Sequence, residues 1–553
     1  MASQFTLEKP SELENIGVSE GSALIARKQL SPVEWTLALL DRIARLDGCV
    51  NAFVNVVADR ALNQARQAEH DIAAGRRRGP LHGVPFALKD MFDTAGIATT
   101  GQSRVASNRI PSADAAAAGA LYEAGGILIG KLATHEFAHG GPSLDLPWPP
   151  ARNPWNLDHF AGSSSSGSGV AVAAGFVPAA LGTDTGGSIR IPAALCGIAG
   201  LKPTYGLVSR RGVLPLAPSL DTCGPMARTS RDCALLLQAI ARHDPDDPTS
   251  ARTVVPDYAA ALTGNLRGLH IGVVRHFWES DLMVDPEAVA AIEAALQVLR
   301  DRGAKLLDVT LRPLREYNDV RIMVQQPEAF AIFQTTLATR AGEFGRDFLG
   351  RILPGCLIAA HVQVQASRQR RRMTEEMRAA LGHCDALVTM GPGPAPRFDA
   401  ECTHGFKFGL WSDRPNLTSP FSVTGFPALS VCSGFSASGL PLSMQVVGRP
   451  FEEHTVLRIG DAYEAATLWH ARRADLQEDC APSPIILAPD PPAPANDQRI
   501  AAWIECCFEQ AGLTLTDDQL EMVHAVAPQV RAIMSRIRLE SEWLIEPSTV
   551  FRV

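Results

Sequence analysis

Two clusters of glycine and serine, Gly162 to Ser168 and Gly182 to Arg190, flank an apolar run from Val170 to Leu181. Glycine-rich turns let backbone N–H groups converge on an anionic oxygen, and serines within them carry hydroxyls that attack a carbonyl or relay a proton. A serine/glycine tract by itself has the composition of a flexible linker. Here the apolar run follows at once, so the tract is a turn entering packed structure. The spacing from Gly162 to Gly167 also mimics a phosphate-binding loop, but Ser168 stands where that loop requires lysine. Amide hydrolysis fits better: it needs a nucleophile, a base, an acid for the leaving amine and donors for an oxyanion. No G-x-S-x-G elbow frames Ser164 or Ser188, and neither cluster contains histidine. A lysine can serve as base if it is neutral. Burial lowers a lysine pKa from about 10.4 by as much as roughly 3 to 5 units, and Lys89 follows the apolar run Val84 to Leu88. On a strand, alternation turns Asp90 to the opposite face, where it does not oppose that shift.

The residues around these clusters resemble the signature of the amidase signature hydrolases. That pattern runs approximately GGSSGGS, an apolar helix, then G-[ST]-D-x-G-G-S-[IV]-R, and an upstream G-V-P-x-x-x-K-D is filled by Gly83 to Asp90. Asn153-Pro154-Trp155, Gly200 to Thr204, and Gly439-Leu440-Pro441 with Gln445 and Gly448 extend the likeness over roughly residues 10 to 475. The resemblance implies that Ser188 is the acylated nucleophile, Ser164 the bridging serine on a cis peptide, and Lys89 the base. The implied relay runs from Ser188 through Ser164 to Lys89, with the N–H groups of Thr185, Gly186, Gly187 and Ser188 as the oxyanion hole. One departure stands out. Ser163 and Ser166 occupy positions that are usually glycine, which leaves Ser165 as a rival relay.

His135-Glu136-Phe137-Ala138-His139 is a formal H-E-x-x-H. On a helix its two histidines would share a face and bind zinc, with Glu136 as general base. Gly140 and Gly141 follow immediately and leave little helix, no third ligand stands out, and the amidase pattern reads K-x-[NT]-x-x-E-F-A here. The two histidines are therefore expected to line or support the pocket, and neither metal nor cofactor is expected.

Composition agrees with a soluble enzyme. The 553 residues assure a sizeable core, and a net charge of −8, from 51 basic and 59 acidic residues, gives no general attraction to nucleic acid or anionic membrane. No apolar span of membrane-crossing length occurs, and the stretch MASQFTLEKP lacks the character of a secretory signal, so the expected location is the cytoplasm. Eleven cysteines without C-x-x-C spacing indicate neither a disulfide framework nor a zinc cluster.

The elements that must hold these residues read as α/β. Ser31-Pro32-Val33-Glu34 is a capping box with proline at the first helical position, and Val33, Leu37, Leu40 and Ala44 are expected to mark the buried face of the helix that follows. Apolar segments such as Gly125 to Leu132, Leu269 to Val274 and Ala386 to Met390 alternate with helical patterns. The resemblance implies a large mixed β-sheet sandwiched between helices, the amidase signature fold, with residues 1–480 as the catalytic unit. The region from about Leu311 to Pro415 matches the pattern least, and such segments supply pocket walls, so Phe406, Phe408 and Trp411 are candidate substrate contacts.

A second unit follows. Six prolines crowd residues 481–496 into a semi-rigid linker, and 497–553 form a small C-terminal helical segment. Helices are expected over Arg499 to Ala511 and Asp517 to Arg538, the second opened by a Thr516/Gln519 capping box and kinked or split at Pro528. So small a segment has little core of its own and should pack on the body or in a dimer contact. It resembles the accessory protein that accompanies carboxybiuret hydrolase, which leans the expected small-molecule substrate toward ureides, carbamates or polar amides. The expected assembly is a homodimer. The alternative, from another class, is the amidase-like subunit of a glutamine-dependent amidotransferase.

Overall fold

The computed structural model describes residues 13–398, 411, 414–478, 480–485 and 497–537. Among these, eleven strands form one sheet: β1 (Phe53–Val56), β2 (Pro85–Lys89), β3 (Ile127–Leu132), β4 (Ala179–Asp184), β5 (Ala199–Lys202), β6 (Thr222–Ala227), β7 (His270–Val273), β8 (Lys305–Asp308), β9 (Ala386–Met390), β10 (Ala428–Phe435) and β11 (Pro441–Gly448). Their spatial order is β1-β3-β2-β4-β6-β5-β10-β11-β9-β7-β8. The sheet is mixed. β2 runs parallel to β3 and β4, the middle strands from β4 to β9 pair antiparallel, and β7 runs parallel to β8 and β9.

The pattern of residue types explains this order. β2, β3 and β4 are buried at every position, as strands covered on both faces must be. The outermost β1 and β8 are short, and β8 carries exposed Lys305 and Asp308, which blunt an open edge. Successive strand residues feed opposite cores. Phe86, Leu88, Leu128 and Leu181 enter one apolar cluster, while Ala87, Ile127, Ile129 and Ala180 enter the other, so helices cover both faces.

The first long helix, Pro32–Val50, starts where its capping residue places it. Ser31 Oγ accepts from the N–H groups of Val33 and Glu34. Its buried face differs from the one expected: Trp35, Leu39, Ile43, Leu46 and Val50 are buried, whereas Leu37 and Ala44 are exposed. The helix carries two apolar stripes, and the bulkier one, with Trp35, is the one that packs into the apolar clusters.

The C-terminal helices span Gln498–Gln510 and Asp517–Arg536. The Thr516/Gln519 capping box is present, and the second helix continues through Pro528 without a break. Both helices pack on the body, against the Leu314–Arg340 helix and the short turns that follow it. Ile504, Phe508, Val523, Val526, Val530 and Ile533 join the larger apolar cluster, and Arg536 forms a bidentate ion pair with Asp319 at 2.6 and 2.8 Å. A disulfide that the cysteine spacing did not indicate joins Cys49 to Cys480. A separation of 431 residues leaves no spacing pattern to detect. No helix among the described residues is long and apolar enough to cross a membrane.

Candidate active site

The parallel pairing of β2 with β4 sets Leu88 beside Leu181, so the C-terminal ends of the two strands lie together. Lys89 closes β2, and Thr183 and Asp184 close β4. The loop Gly162–Ser165 arrives at the same place, because Ser165 is the cap of the Ser166–Ala173 helix that leads into β4. Lys89 Nζ lies 2.7 Å from Ser164 Oγ and 2.7 Å from Thr183 Oγ1, and the lysine is fully buried. Burial pulls its pKa down to about 7, against the weaker upward pull of Asp184 and Asp221. Asp90, on the opposite face, pairs with Lys131 at 3.0 Å and accepts from Thr100, so its charge is spent away from Lys89.

Four of the five serines of the first cluster, Ser163 to Ser166, take separate places. Ser164 faces Lys89, and the peptide bond from Ser163 to Ser164 is cis. Ser165 Oγ instead bonds the backbone of Thr183, donating to its carbonyl and accepting from its N–H, each at 3.2 Å. The additional hydroxyl of Ser163 donates to Gly140 O at 3.0 Å, and Ser166 is buried in the first turn of its helix.

The second cluster is anchored by a buried ion pair. Asp184 accepts from Arg190 Nε and Nη2 at 3.0 Å each, and Arg190 also reaches Thr418 O, Gln445 Oε1 and Ser422 Oγ. Burial alone would raise the Asp184 carboxyl, but Arg190 outweighs it and holds the group below the usual carboxylate range. The same carboxylate accepts from the N–H groups of Gly187 (2.8 Å) and Ile189 (3.2 Å), while Thr185 Oγ1 donates to Asp221 at 2.5 Å and Thr418 Oγ1 donates to Gly186 O at 2.6 Å. Of the expected oxyanion donors, Gly187 therefore has its N–H committed to Asp184. The N–H groups of Thr185, Gly186 and Ser188 have no acceptor among the described residues.

Ser188, half-buried, opens onto a cavity of about 840 Å³. Its lining includes His139, Gly140, Ser163, Thr185, Gly186, Asn318, Arg321, Gln325, Arg351 and Arg414. Sequence reading missed Asn318, Arg321 and Gln325. Their signal is three polar residues at i, i+3 and i+7, the spacing of one helix face, all buried in the Leu314–Arg340 helix. The aromatic contacts expected instead fare differently. Phe406 and Phe408 lie outside the described residues, and Trp411 is packed in the larger apolar cluster rather than in the cavity wall.

The H-E-x-x-H segment is not α-helical. Glu136–Ala138 form a single 3₁₀ turn, and Phe137 has φ +43°, so the two histidines lack the shared face that zinc binding requires. His135 Nδ1 contacts Gly140 O and stacks on Phe160, while Glu136 accepts from Ser103 Oγ and Gly345 N–H. No group of three or more potential metal ligands occurs among the described residues. Burial pushes His135 and His139 down to about 3 and Glu136 up to about 8, as expected of neutral, hydrogen-bonded groups supporting the cavity wall.

Comparison with known proteins agrees with this architecture. The family profile described as Amidase matches residues 34–457. A glutamyl-tRNA(Gln) amidotransferase subunit of Roseiflexus sp. (strain RS-1) is 41% identical over 495 residues, covering 84% of this chain and 99% of that protein. Among solved structures, a chain of a vestigial protein complex that bears on the origins of an s-triazine catabolic enzyme has a TM-score of 0.76 at 30% identity, covering 84% of this chain and 100% of that one. Native peptide amidase from Stenotrophomonas maltophilia has a TM-score of 0.71 at 31% identity, covering 84% of this chain and 99% of that one. The chain belongs to the amidase signature family. It is an enzyme that acts on C–N amide bonds.

Proposed function

We propose that this enzyme hydrolyses a small amide, ureide or carbamate through an acyl-enzyme on Ser188, with Ser164 and Lys89 as its proton relay. The observation that carries this reading is the 2.7 Å contact between Ser164 Oγ and a buried Lys89 whose pKa is held to about 7. A neutral amine there has a lone pair for the Ser164 proton and an N–H for Thr183 Oγ1. In the first step Ser188 Oγ bonds to the substrate carbonyl carbon, its proton passes to Ser164, and the Ser164 proton passes to Lys89. The negative oxygen so formed is received by the uncommitted N–H groups of Thr185, Gly186 and Ser188. Collapse breaks the C–N bond while the relay returns the proton to the leaving nitrogen. Water then repeats the sequence on the acyl-enzyme, releasing acid and restoring Ser188.

A second reading follows from the relatives named as glutamyl-tRNA(Gln) amidotransferase subunits, whose full length this chain spans. In it the same chemistry would release ammonia from glutamine for a partner protein. The C-terminal helices favour the free-standing hydrolase. We assign 1–480 as the catalytic unit and 497–553 as an appended segment, and the likeness of that segment to an accessory protein of carboxybiuret hydrolysis leans the substrate toward ureides and carbamates. The test combines labelling with turnover. A fluorophosphonate should modify Ser188, and ammonia or amine release should be found in a panel of aliphatic amides, anilides, ureides and carbamates without any partner protein. An adduct on Ser164 or Ser165 that persists in Ser188→Ala would overturn the assignment of the nucleophile.

A further inference from the structure

The cavity in front of Ser188 contains a buried positive charge with no carboxylate partner among the described residues. Arg321 is 7% exposed and lines the cavity. Its guanidinium donates to Ser419 Oγ (3.0 Å, from Nε), Gln325 Oε1 (2.8 Å, from Nη1) and Asn318 Oδ1 (3.1 Å, from Nη2), all neutral oxygens. Among the described residues no carboxylate forms an ion pair with it. The two neighbouring buried arginines contrast with it: Arg351 pairs with Asp347 at 2.8 Å and Arg190 with Asp184 at 3.0 Å. Burial, reinforced by Arg351, lowers the Arg321 pKa only to about 10, so it stays a cation at neutral pH.

Its position is close to the reacting atoms. A β-carbon added to Gly186 would come within 3.1 Å of Arg321 Nη1, so the guanidinium lies against the backbone of the loop that carries Ser188. A guanidinium has five N–H groups. Three are used by Ser419, Gln325 and Asn318, which among the described residues leaves one on each terminal nitrogen. Two such donors match the two oxygens of a carboxylate. Arg414 adds positive charge to the lining, and its single carboxylate among the described residues, Asp285, is exposed and caps the Pro286–Asp301 helix. Burying an unpaired charge is costly, and the cavity is the direction from which a counter-ion can come.

We propose that the substrate is an anion: a small amide or ureide that carries a carboxylate on its non-scissile end, received by Arg321 beside Gly186. This rests on the hydrolytic reading for what happens at the scissile bond, but not for what binds. The amide oxygens of Asn318 and Gln325 fix the plane of the guanidinium, and the carboxylate completes its donors. Neutral amides of the same length leave the charge unanswered.

The test uses matched pairs in which a carboxylate replaces a terminal methyl: malonamate, succinamate and glutaramate against propanamide, butanamide and pentanamide. For the full-length enzyme, kcat/KM should favour the best anionic member over its neutral counterpart by about 100-fold, the scale of a charge-assisted, bidentate contact. In Arg321→Met that ratio should collapse to within a few-fold of unity, and Arg321→Lys, which keeps the charge but not the fork, should restore part of it. A wild-type preference for the neutral amides, or a ratio unchanged in a folded Arg321→Met, would overturn the proposal. Calorimetric titration of Ser188→Ala with the same compounds separates binding from chemistry. Anion-selective binding that is lost on adding Arg321→Met, with no turnover by the wild type, would keep this proposal and remove the hydrolytic one. If no carboxylate in the panel binds Ser188→Ala at about 10 mM, weaker than the millimolar affinities of small ligands, the proposal fails.

Discussion

The relay stands or falls on the protonation of Lys89, and its environment gives that a magnitude. At an ordinary pKa of about 10.4 only roughly four molecules in ten thousand would carry a neutral amine at pH 7. Held to about 7, Lys89 is neutral in about half. The gain is about a thousandfold in competent enzyme, equivalent to about 4 kcal/mol. On the acid side kcat/KM for an uncharged amide should follow that titration, falling to about a tenth of its plateau at pH 6 and about a hundredth at pH 5. Lys89→Ala should be nearly inactive, and Lys89→Arg no better, because arginine stays protonated. Stability gives an independent readout. A lysine whose folded pKa lies below its unfolded value stabilises fully only above about 10.4, and that contribution is lost as pH falls through about 7. Lys89→Met removes a cost of about 4 kcal/mol at low pH and gives up bonds to Ser164 and Thr183 of about 1 kcal/mol each. The inactive variant should therefore be more stable than wild type by about 2 kcal/mol below pH 7, a margin that shrinks towards pH 10. Denaturant melts across pH, beside pH–rate profiles of all four proteins, check both halves. Substantial turnover by Lys89→Arg, or an acid limb in the carboxylate range, would refute the argument by placing the base elsewhere.

Two further outcomes follow from the loop and the tail. Gly187 has φ +132°, and a β-carbon there would come within 2.3 Å of Thr418 Oγ1, so Gly187→Ala should displace the loop and lower kcat by about 100-fold or more; kinetics within a few-fold of wild type would show that the loop tolerates the shift. Truncation after Cys480 leaves the disulfide to Cys49 intact, but it uncovers the apolar face that Phe508, Val526 and Val530 cover and frees Asp319 from Arg536. The shortened enzyme should melt at a lower temperature or change its substrate range, and unchanged melting, oligomeric state and kinetics would exclude a role for the tail in holding the Leu314–Arg340 helix.

Contiguous features were legible in the sequence because short stretches of backbone decide them. The glycine and serine clusters, the apolar runs of β2 and β3 and the caps at Ser31 and Thr516 depend on residues within a few positions of one another, and each is found where the sequence puts it, whereas the run Val170–Leu181, read as one apolar helix, breaks after Ala173 and supplies the start of β4. The burial of Lys89 was also legible, from the five residues before it. Ambiguity began wherever a local pattern admits two answers. The Pro32–Val50 helix has two apolar stripes, and only packing chose the one with Trp35. His135 to His139 have the spacing of a helical zinc face, a reading that Gly140 and Gly141 already argued against, and the positive φ of Phe137, wedged among Phe333, Phe344 and Phe348, excludes that face.

What the sequence determined by itself was the inventory of the chemistry: a neutralisable lysine, glycine-framed serines, and a family to which those spacings belong. Tertiary structure alone decided which groups meet. Lys89 touches Ser164 across 75 residues of chain because β2 pairs with β4, and Ser164 rather than Ser165 faces it because Ser165 turns to the Thr183 backbone. Arg321 reaches Gly186 across 135 positions only because its helix packs over the loop, with the tail's Arg536 fastened to the adjoining Asp319. Such contacts are fixed by the mutual packing of distant elements, a property of the whole fold that no window of sequence contains.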